Sequence, residues 1–126
     1  MKREVLRTAN APQAIGPYSQ GIRAVGEFVF LSGQIPLTPE GELVKGSIED
    51  QTRQVMRNIE ALLAAAGLGP GNVAKTTIFL SSMDHFAAVN EIYGEFFGPN
   101  PPARSTVAVS GLPRGVDVEI ETIAIA

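Results

Sequence analysis

The sequence predicts an α+β domain built on a single mixed β-sheet, in the order βββαβαββ, with two helices on one face. Three observations predict this class. Runs rich in β-branched residues are interrupted by Gly and Pro, as strands and turns are. Two segments repeat apolar residues at helical spacing. The chain has 126 residues, which suits one domain over residues 1–126.

The first third of the chain is predicted to hold three strands. Gly26 and Glu27 separate two of them in the manner of a hairpin. Tyr18 lies in an irregular loop, where an aromatic residue either carries function or anchors the loop by packing. The predicted elements are a strand over 3–7, a loop over 8–21, strands over 21–25 and 27–33, and a loop over 36–46.

Two amphipathic helices and three further strands complete the prediction. Ser47 opens the first helix, because acidic residues follow it in the pattern of a helix cap, and Gly67 suits its end. The second helix begins near Ser82 or Asp84 and ends before Gly98, and its apolar stripe is typical of core. The predicted strands cover residues 73–82, 104–109 and 116–126.

The last predicted strand is apolar on both faces along its second half. Alternation places Val118 and Ile120 on one face, and Glu119, Ile123 and Ile125 on the other. Two helices cover only one face of a sheet. The other face therefore needs a different cover, and the sequence predicts an oligomer in which a neighbouring subunit supplies it.

Arg104 is the most unusual residue of the predicted strands. It follows two prolines, opens an apolar strand, and points to the same side as Thr106. A guanidinium at such a position offers a rigid fork that matches a carboxylate. The alternative is a structural ion pair with Glu119 or Glu121, which both lie on the last strand.

Glu119 is the candidate proton-transfer group. It lies between apolar neighbours in a strand, so it is expected to be paired, to lie at a cleft rim, or to be catalytic, and partial burial of a carboxyl raises its pKa. Ser32, at a strand end before Gly33, offers a hydroxyl. His85 is the one histidine and lies on the second helix, so a Ser-His-Asp triad is not indicated.

Composition excludes several classes of function. The net charge is −3 and the ten basic residues are scattered, which argues against nucleic-acid binding. There are no cysteines, so disulfides and thiolate chemistry are excluded. A single histidine does not make a histidine metal site, and neither a signal peptide nor a membrane span is indicated. A soluble cytoplasmic protein is expected.

Seven stretches, in order over nearly the whole chain, resemble the RidA branch of the Rid (YjgF) family of reactive intermediate deaminases. They are AIGPYSQG, LSGQIP, EALLAAAGL, VAKTTIFL, FAAVNEIYGEFF, PPARSTV and VEIETIA. The resemblance implies a fold like that of the small trimeric chorismate mutase, and a homotrimer with clefts between subunits. It implies hydrolysis of enamines and imines, such as 2-aminoacrylate or 2-iminopropanoate, to 2-oxo acids and ammonia, without cofactor or metal.

The resemblance also implies a role for each site residue. Arg104 corresponds to the carboxylate-binding arginine and Glu119 to the water-activating acid. The remaining cleft positions are Tyr18, Ser32, Gly33 and Thr106, with Asn90 as a supporting residue. Thr106 occupies a position that is often cysteine in the family, so a role that needs a thiol is not available to this chain.

Two other functions stay open at this point. A trimer could bind 2-oxo acids or similar carboxylates without turnover, in which case Arg104 would matter and Glu119 would not. Endoribonuclease activity is disfavoured by the acidic net charge and the lack of a basic stripe.

Overall fold

The computed structural model describes residues 1–126 and has six strands and two helices. The α+β class and the predicted order of elements are confirmed. The elements are β1 (Lys2–Leu6), β2 (Gly21–Val25), β3 (Phe28–Gln34), α1 (Ile48–Ala65), β4 (Val73–Leu80), α2 (Phe86–Phe97), β5 (Ala103–Ala108) and β6 (Val118–Ile125).

Four of the strands form a mixed sheet in the order β3-β6-β4-β5. Strands β4 and β5 are parallel, because α2 connects them and returns the chain to the same end of the sheet. Strand β6 is antiparallel to both β3 and β4. Both helices pack on one face, where a single core of 14 buried residues forms, with Tyr93, Ile59, Leu63, Ile78, Leu80 and Ile120 among its largest fully buried side chains.

The predicted hairpin between β2 and β3 is wrong, and with it the single continuous sheet. Strand β2 pairs only with β1, in a separate two-stranded ladder. Glu27 instead extends the ladder between β3 and β6, since it exchanges two backbone hydrogen bonds with Ala126. Only Gly26 is then left between the strands, with φ at 150°. One residue cannot make a two-residue reverse turn, so β2 leaves the sheet instead of folding back onto β3.

The β1–β2 hairpin is anchored at the end of the sheet where β4 and β5 begin. Ser19, just before β2, forms a parallel bridge with Ala103, and its amide donates to the carbonyl of Pro102 at 3.0 Å. Arg3 of β1 donates from Nε to the carbonyl of Val73 at 2.9 Å. These contacts hold the loop over residues 8–20 beside the start of β5.

Helix α1 begins and ends as its sequence predicts. The Ser47 hydroxyl accepts a hydrogen bond from the amide of Asp50 at 3.1 Å, which satisfies one of the free amides of the first turn. Gly67 follows the helix with φ at 74°, a conformation that favours glycine. Helix α2 starts later than predicted, because residues 83–85 form a 3-10 turn that Ser82 caps.

The sheet face opposite the helices is uncovered in the single chain. Phe28 and Phe30 of β3 are 61% and 72% exposed, and their rings stack with centroids 5.8 Å apart. Val107 of β5 is exposed on the same face. As predicted, the helices cover one face of the sheet and leave the other face exposed in the single chain. Neither helix has the combination of length and apolar composition that crossing a membrane requires.

Candidate active site

Arg104 lies on the helix-covered face of the sheet, at the edge strand β5. It is opposite Thr76 in the parallel register of β4 and β5, and Thr76 is buried under the helices. Thr106 is opposite Ile78, another core residue of the same face. The prediction that Arg104 and Thr106 share one side of the strand is confirmed by this register.

Neutral groups surround the Arg104 guanidinium. Nη1 donates to the side-chain oxygen of Asn90 at 2.7 Å. The guanidinium carbon lies 5.2 Å from the ring centroid of Tyr93, 5.3 Å from that of Tyr18 and 5.7 Å from that of Phe86. Aromatic rings at this distance attract a cation through their π electrons without neutralising it. We call these four residues the neutral seat of Arg104.

The alternative of a structural ion pair for Arg104 is wrong. The two ion pairs of the chain join Arg53 to Asp50 and His85 to Asp117, and neither involves Arg104. Burial lowers the pKa of the Arg104 guanidinium, and the nearby Tyr93 and Tyr18 oppose this shift. Arginine nonetheless stays protonated in proteins. The side chain therefore holds a positive charge, partly removed from water, that no carboxylate of its own chain balances.

Thr106 adds an unpaired polar atom close to Arg104 in the sequence of β5. Its hydroxyl oxygen is buried and makes no hydrogen bond within the chain. A buried polar group without a partner is costly, and such groups often await a ligand or water. Thr106 thus offers a free hydroxyl on the same strand and face as the cation.

Helix α2 supplies three of the four seat residues. Phe86, Asn90 and Tyr93 are four and three residues apart, so they follow one stripe of the helix. The apolar stripe of this helix, which includes Phe86 and Tyr93, was predicted to be core, and its contact with Arg104 was missed. A signal was present, since Asn90 interrupts the otherwise apolar stripe. Tyr18 reaches the seat from the loop before β2, and its hydroxyl accepts a hydrogen bond from the amide of Ile15 at 3.3 Å.

Gly33 and Glu119 form a second group, and Ser32 precedes Gly33 in β3. Ser32 is exposed near the end of β3, where the register with β6 shifts. Gly33 packs so closely on the Glu119 side chain that a Cβ at Gly33 would overlap Oε2 of Glu119. A residue with a side chain at position 33 would displace this carboxylate. Gly33 therefore leaves space beside β3 for the Glu119 carboxylate.

The two groups lie on opposite faces of the sheet. Glu119 is opposite Phe79 in the register of β6 and β4, whereas Arg104 is opposite Thr76 in the register of β5 and β4. Positions 76 and 79 are three apart in a strand, so their side chains point to opposite faces. Of the predicted site residues, the structure brings together Arg104, Asn90 and Tyr18, but it does not bring Glu119 to them.

A second polar cluster, the Asp117 cluster, joins four segments of the chain just beyond the end of β4 at Leu80. Oδ1 of Asp117 accepts from the Ser81 hydroxyl at 2.8 Å, and Oδ2 accepts from the Gln51 amide at 3.0 Å. His85 Nε2 lies 3.8 Å from Oδ1. The hydrogen bonds from Gln51 and Ser81 lower the pKa of the Asp117 carboxyl, with a smaller contribution from His85. Each oxygen of this carboxylate therefore accepts a hydrogen bond from the chain itself.

The fold and the site together define a class of protein. It is a small α+β domain in which one edge-strand arginine sits among neutral side chains, while a glutamate lies on the opposite sheet face. The family model described as Endoribonuclease L-PSP matches residues 8–126 of the chain. The chain belongs to this family, which is the Rid (YjgF) family.

Relatives cover almost the full chain. A RutC family protein of Pyrococcus horikoshii, PH0854, is 55% identical and the match covers 97% of each chain. A mouse protein named 2-iminobutanoate/2-iminopropanoate deaminase is 45% identical over 98% of this chain and 91% of its own. The crystal structure of RidA from a Psychrobacter species is 39% identical, with a TM-score of 0.76 over 98% and 99% of the two chains. The resemblance predicted from the sequence is confirmed.

Proposed function

We propose that the protein is a deaminase that hydrolyses 2-imino acids, and their enamine tautomers, to 2-oxo acids and ammonia. One observation carries the proposal. Arg104 is a half-buried cation with only neutral neighbours, so it is free to bind the carboxylate that every 2-imino acid carries. The name of the mouse relative supports the reaction class.

The proposed mechanism uses few groups. Arg104 holds the substrate carboxylate through two parallel hydrogen bonds, which orient the adjacent C=N carbon. Glu119 takes a proton from water as the oxygen adds to that carbon, and it returns this proton to the nitrogen. Glu119 then transfers the proton of the new hydroxyl to the same nitrogen. Collapse of the resulting carbinolamine forms the C=O bond, breaks the C–N bond and releases ammonia. One water is consumed for each ammonia released, and no oxidant or cofactor is needed.

The same proposal requires a second copy of the chain. Arg104 and Glu119 lie on opposite faces of one sheet, so one chain alone does not offer both to a small substrate. The uncovered face, with exposed Phe28 and Phe30, would be buried by a neighbouring subunit. We propose a homotrimer in which Glu119 of one subunit completes the Arg104 site of the next, with Ser32 and Gly33 beside it.

The charge pattern favours this reaction over RNA cleavage. Ten basic and 13 acidic residues give a net charge of −3. Nucleic-acid affinity depends mainly on several cations that contact phosphates together. Arg104 is a single cation among aromatic and amide groups, which suits one small anion.

Glu119→Gln tests the proposal, with Glu121→Gln as its matched control. Glutamine keeps the shape of Glu119 but does not accept the proton, so single-turnover hydrolysis of freshly generated 2-iminopropanoate should fall by about 10²–10⁴-fold. Pyruvate should still bind in calorimetry, because Arg104 is unchanged. Glu121 points to the same face but is exposed, and its variant should lose far less activity.

Each outcome decides between functions. If Glu119→Gln hydrolyses the imine at the parent rate, the proton-transfer role is wrong. If the parent binds pyruvate but releases no ammonia, the protein is a carboxylate-binding module. Light scattering on each variant shows whether the oligomer persists, and a stable monomer at micromolar concentration would contradict the shared site.

A further inference from the structure

Tyr93 differs from the other rings around Arg104 because it is bonded to the sheet. Its side chain is fully buried, and its hydroxyl is 2.6 Å from the Thr76 hydroxyl. Thr76 is directly opposite Arg104 in the register of β4 and β5. The ring is therefore tied to the backbone position next to the arginine whose guanidinium it faces.

The ring also lies closest to the cation. Its centroid is 5.2 Å from the guanidinium carbon, within the range of a cation–π contact. Asn90, three residues earlier on α2, holds Nη1 at 2.7 Å. One helix thus contacts the guanidinium at two places, through a hydrogen bond at one nitrogen and through a ring packed against the group.

Tyr93 makes this contact without cancelling the charge of Arg104. Burial raises the pKa of Tyr93 to about 12, so its hydroxyl is neutral at physiological pH. An ionised group here would pair with Arg104 and compete with a bound carboxylate. A neutral ring supports the cation and leaves its charge for the ligand.

We propose that Tyr93 is a positioning residue that, held by Thr76, fixes the orientation of the Arg104 guanidinium for carboxylate binding. This inference rests on the proposed role of Arg104 as the carboxylate anchor. It extends that role to a side chain that lies in the core and need not touch the substrate. Without the ring, the guanidinium would sample more orientations and bind a carboxylate with a larger loss of entropy.

Tyr93→Leu and Tyr93→Phe test the proposal, with Phe97→Leu as the control. Phe97 is also buried on α2 and packs on Tyr93 with ring centroids 4.7 Å apart, but it does not face Arg104. Tyr93→Leu should weaken pyruvate binding by about tenfold, the order expected for losing one partly desolvated cation–π contact. Tyr93→Phe keeps the ring but loses the hydrogen bond to Thr76, so its pyruvate affinity should lie between those of the parent and Tyr93→Leu. Phe97→Leu should bind as the parent does.

Nitrogen-15 NMR of the arginine side chains gives a readout that needs neither turnover nor ligand. In the parent and in Phe97→Leu, rotation of the Arg104 guanidinium about its Nε–Cζ bond should be slow enough to separate the two Nη signals. In Tyr93→Leu the signals should merge at the same temperature. Unchanged Arg104 signals, or equal losses of pyruvate affinity in Tyr93→Leu and Phe97→Leu, would overturn the proposal. A parent that binds pyruvate without turnover would contradict only the deaminase assignment.

Discussion

Arg104 and Asp117 are both partly buried charged side chains, but the chain treats them in opposite ways. Asp117 receives hydrogen bonds from Gln51 and Ser81 and has His85 nearby. Arg104 has one hydrogen bond to a neutral amide and no carboxylate partner. A charge whose bonding positions are filled serves the fold. A charge left unbalanced in a half-buried place is a candidate position for binding a ligand of opposite charge.

Arg104→Lys is the strongest test of this contrast between Arg104 and Asp117, because it keeps the positive charge and removes the planar guanidinium. Lysine does not form the paired parallel bonds to a carboxylate, so pyruvate affinity and imine turnover should both fall at least about tenfold. Calorimetry and single-turnover kinetics measure the two losses. Arg23→Lys, at an exposed arginine of β2, is the control and should behave as the parent. Parent-like turnover in Arg104→Lys would show that the charge alone suffices.

Asn90→Asp would give the charge of Arg104 a partner within the chain, as the Asp117 charge already has. The introduced carboxyl would lie where the amide oxygen now lies, 2.7 Å from Nη1. It would form an ion pair with Arg104 and compete with a bound carboxylate. We expect pyruvate to bind about tenfold more weakly, while the free energy of unfolding stays equal or rises. Asn10→Asp adds the same charge in an exposed loop and controls for it. Undiminished pyruvate affinity would mean that the neutral seat is unimportant.

Asp117→Asn tests the other member of the comparison and should affect only stability. In this variant an NH2 group replaces one of the two carboxylate oxygens, and it does not accept the hydrogen bond that Gln51 or Ser81 donates. The free energy of unfolding should therefore fall by about 1 kcal/mol. The figure is modest because the Asp117 side chain is 38% exposed and water screens part of the interaction. Denaturant unfolding measures it, and pyruvate affinity should not change.

Acid should remove this difference between the parent and Asp117→Asn. The pKa of Asp117 lies below the ordinary value of 3.8 in the folded chain, chiefly because of the Gln51 and Ser81 hydrogen bonds. Its contribution is therefore complete above the unfolded pKa and is lost as pH falls through the folded pKa. The two unfolding free energies should approach each other as pH falls below about 4, and they should be equal below the folded pKa of Asp117. If the difference in unfolding free energy persisted below the folded pKa, the charge of the Asp117 carboxylate would not be its cause.

The sequence predicted the parts of the fold that depend on local chemistry. The Ser47 cap, the end of α1 at Gly67 and the alternation along β6 all follow from neighbouring residues. The missing β2–β3 pairing depends on Glu27 bonding to Ala126, a residue 99 positions away, and no local pattern signals it.

The site was predicted in part for a similar reason. Arg104 and Thr106 could be placed together because they lie two apart on one strand. The face of α2 that meets Arg104 could not, because Phe86 and Tyr93 follow the same spacing as ordinary core residues. Only packing decides which part of an apolar stripe meets a cation.

The unbalanced charge of Arg104 has a thermodynamic consequence for the whole molecule. A carboxylate that pairs with it would bind the folded chain and not the unfolded one, so binding and folding would be linked. Ligand at 100 times its dissociation constant would raise the free energy of unfolding by about 2.7 kcal/mol. The thermal midpoint of the protein would then report the concentration of small carboxylates around it, and the apo protein would be its least stable form.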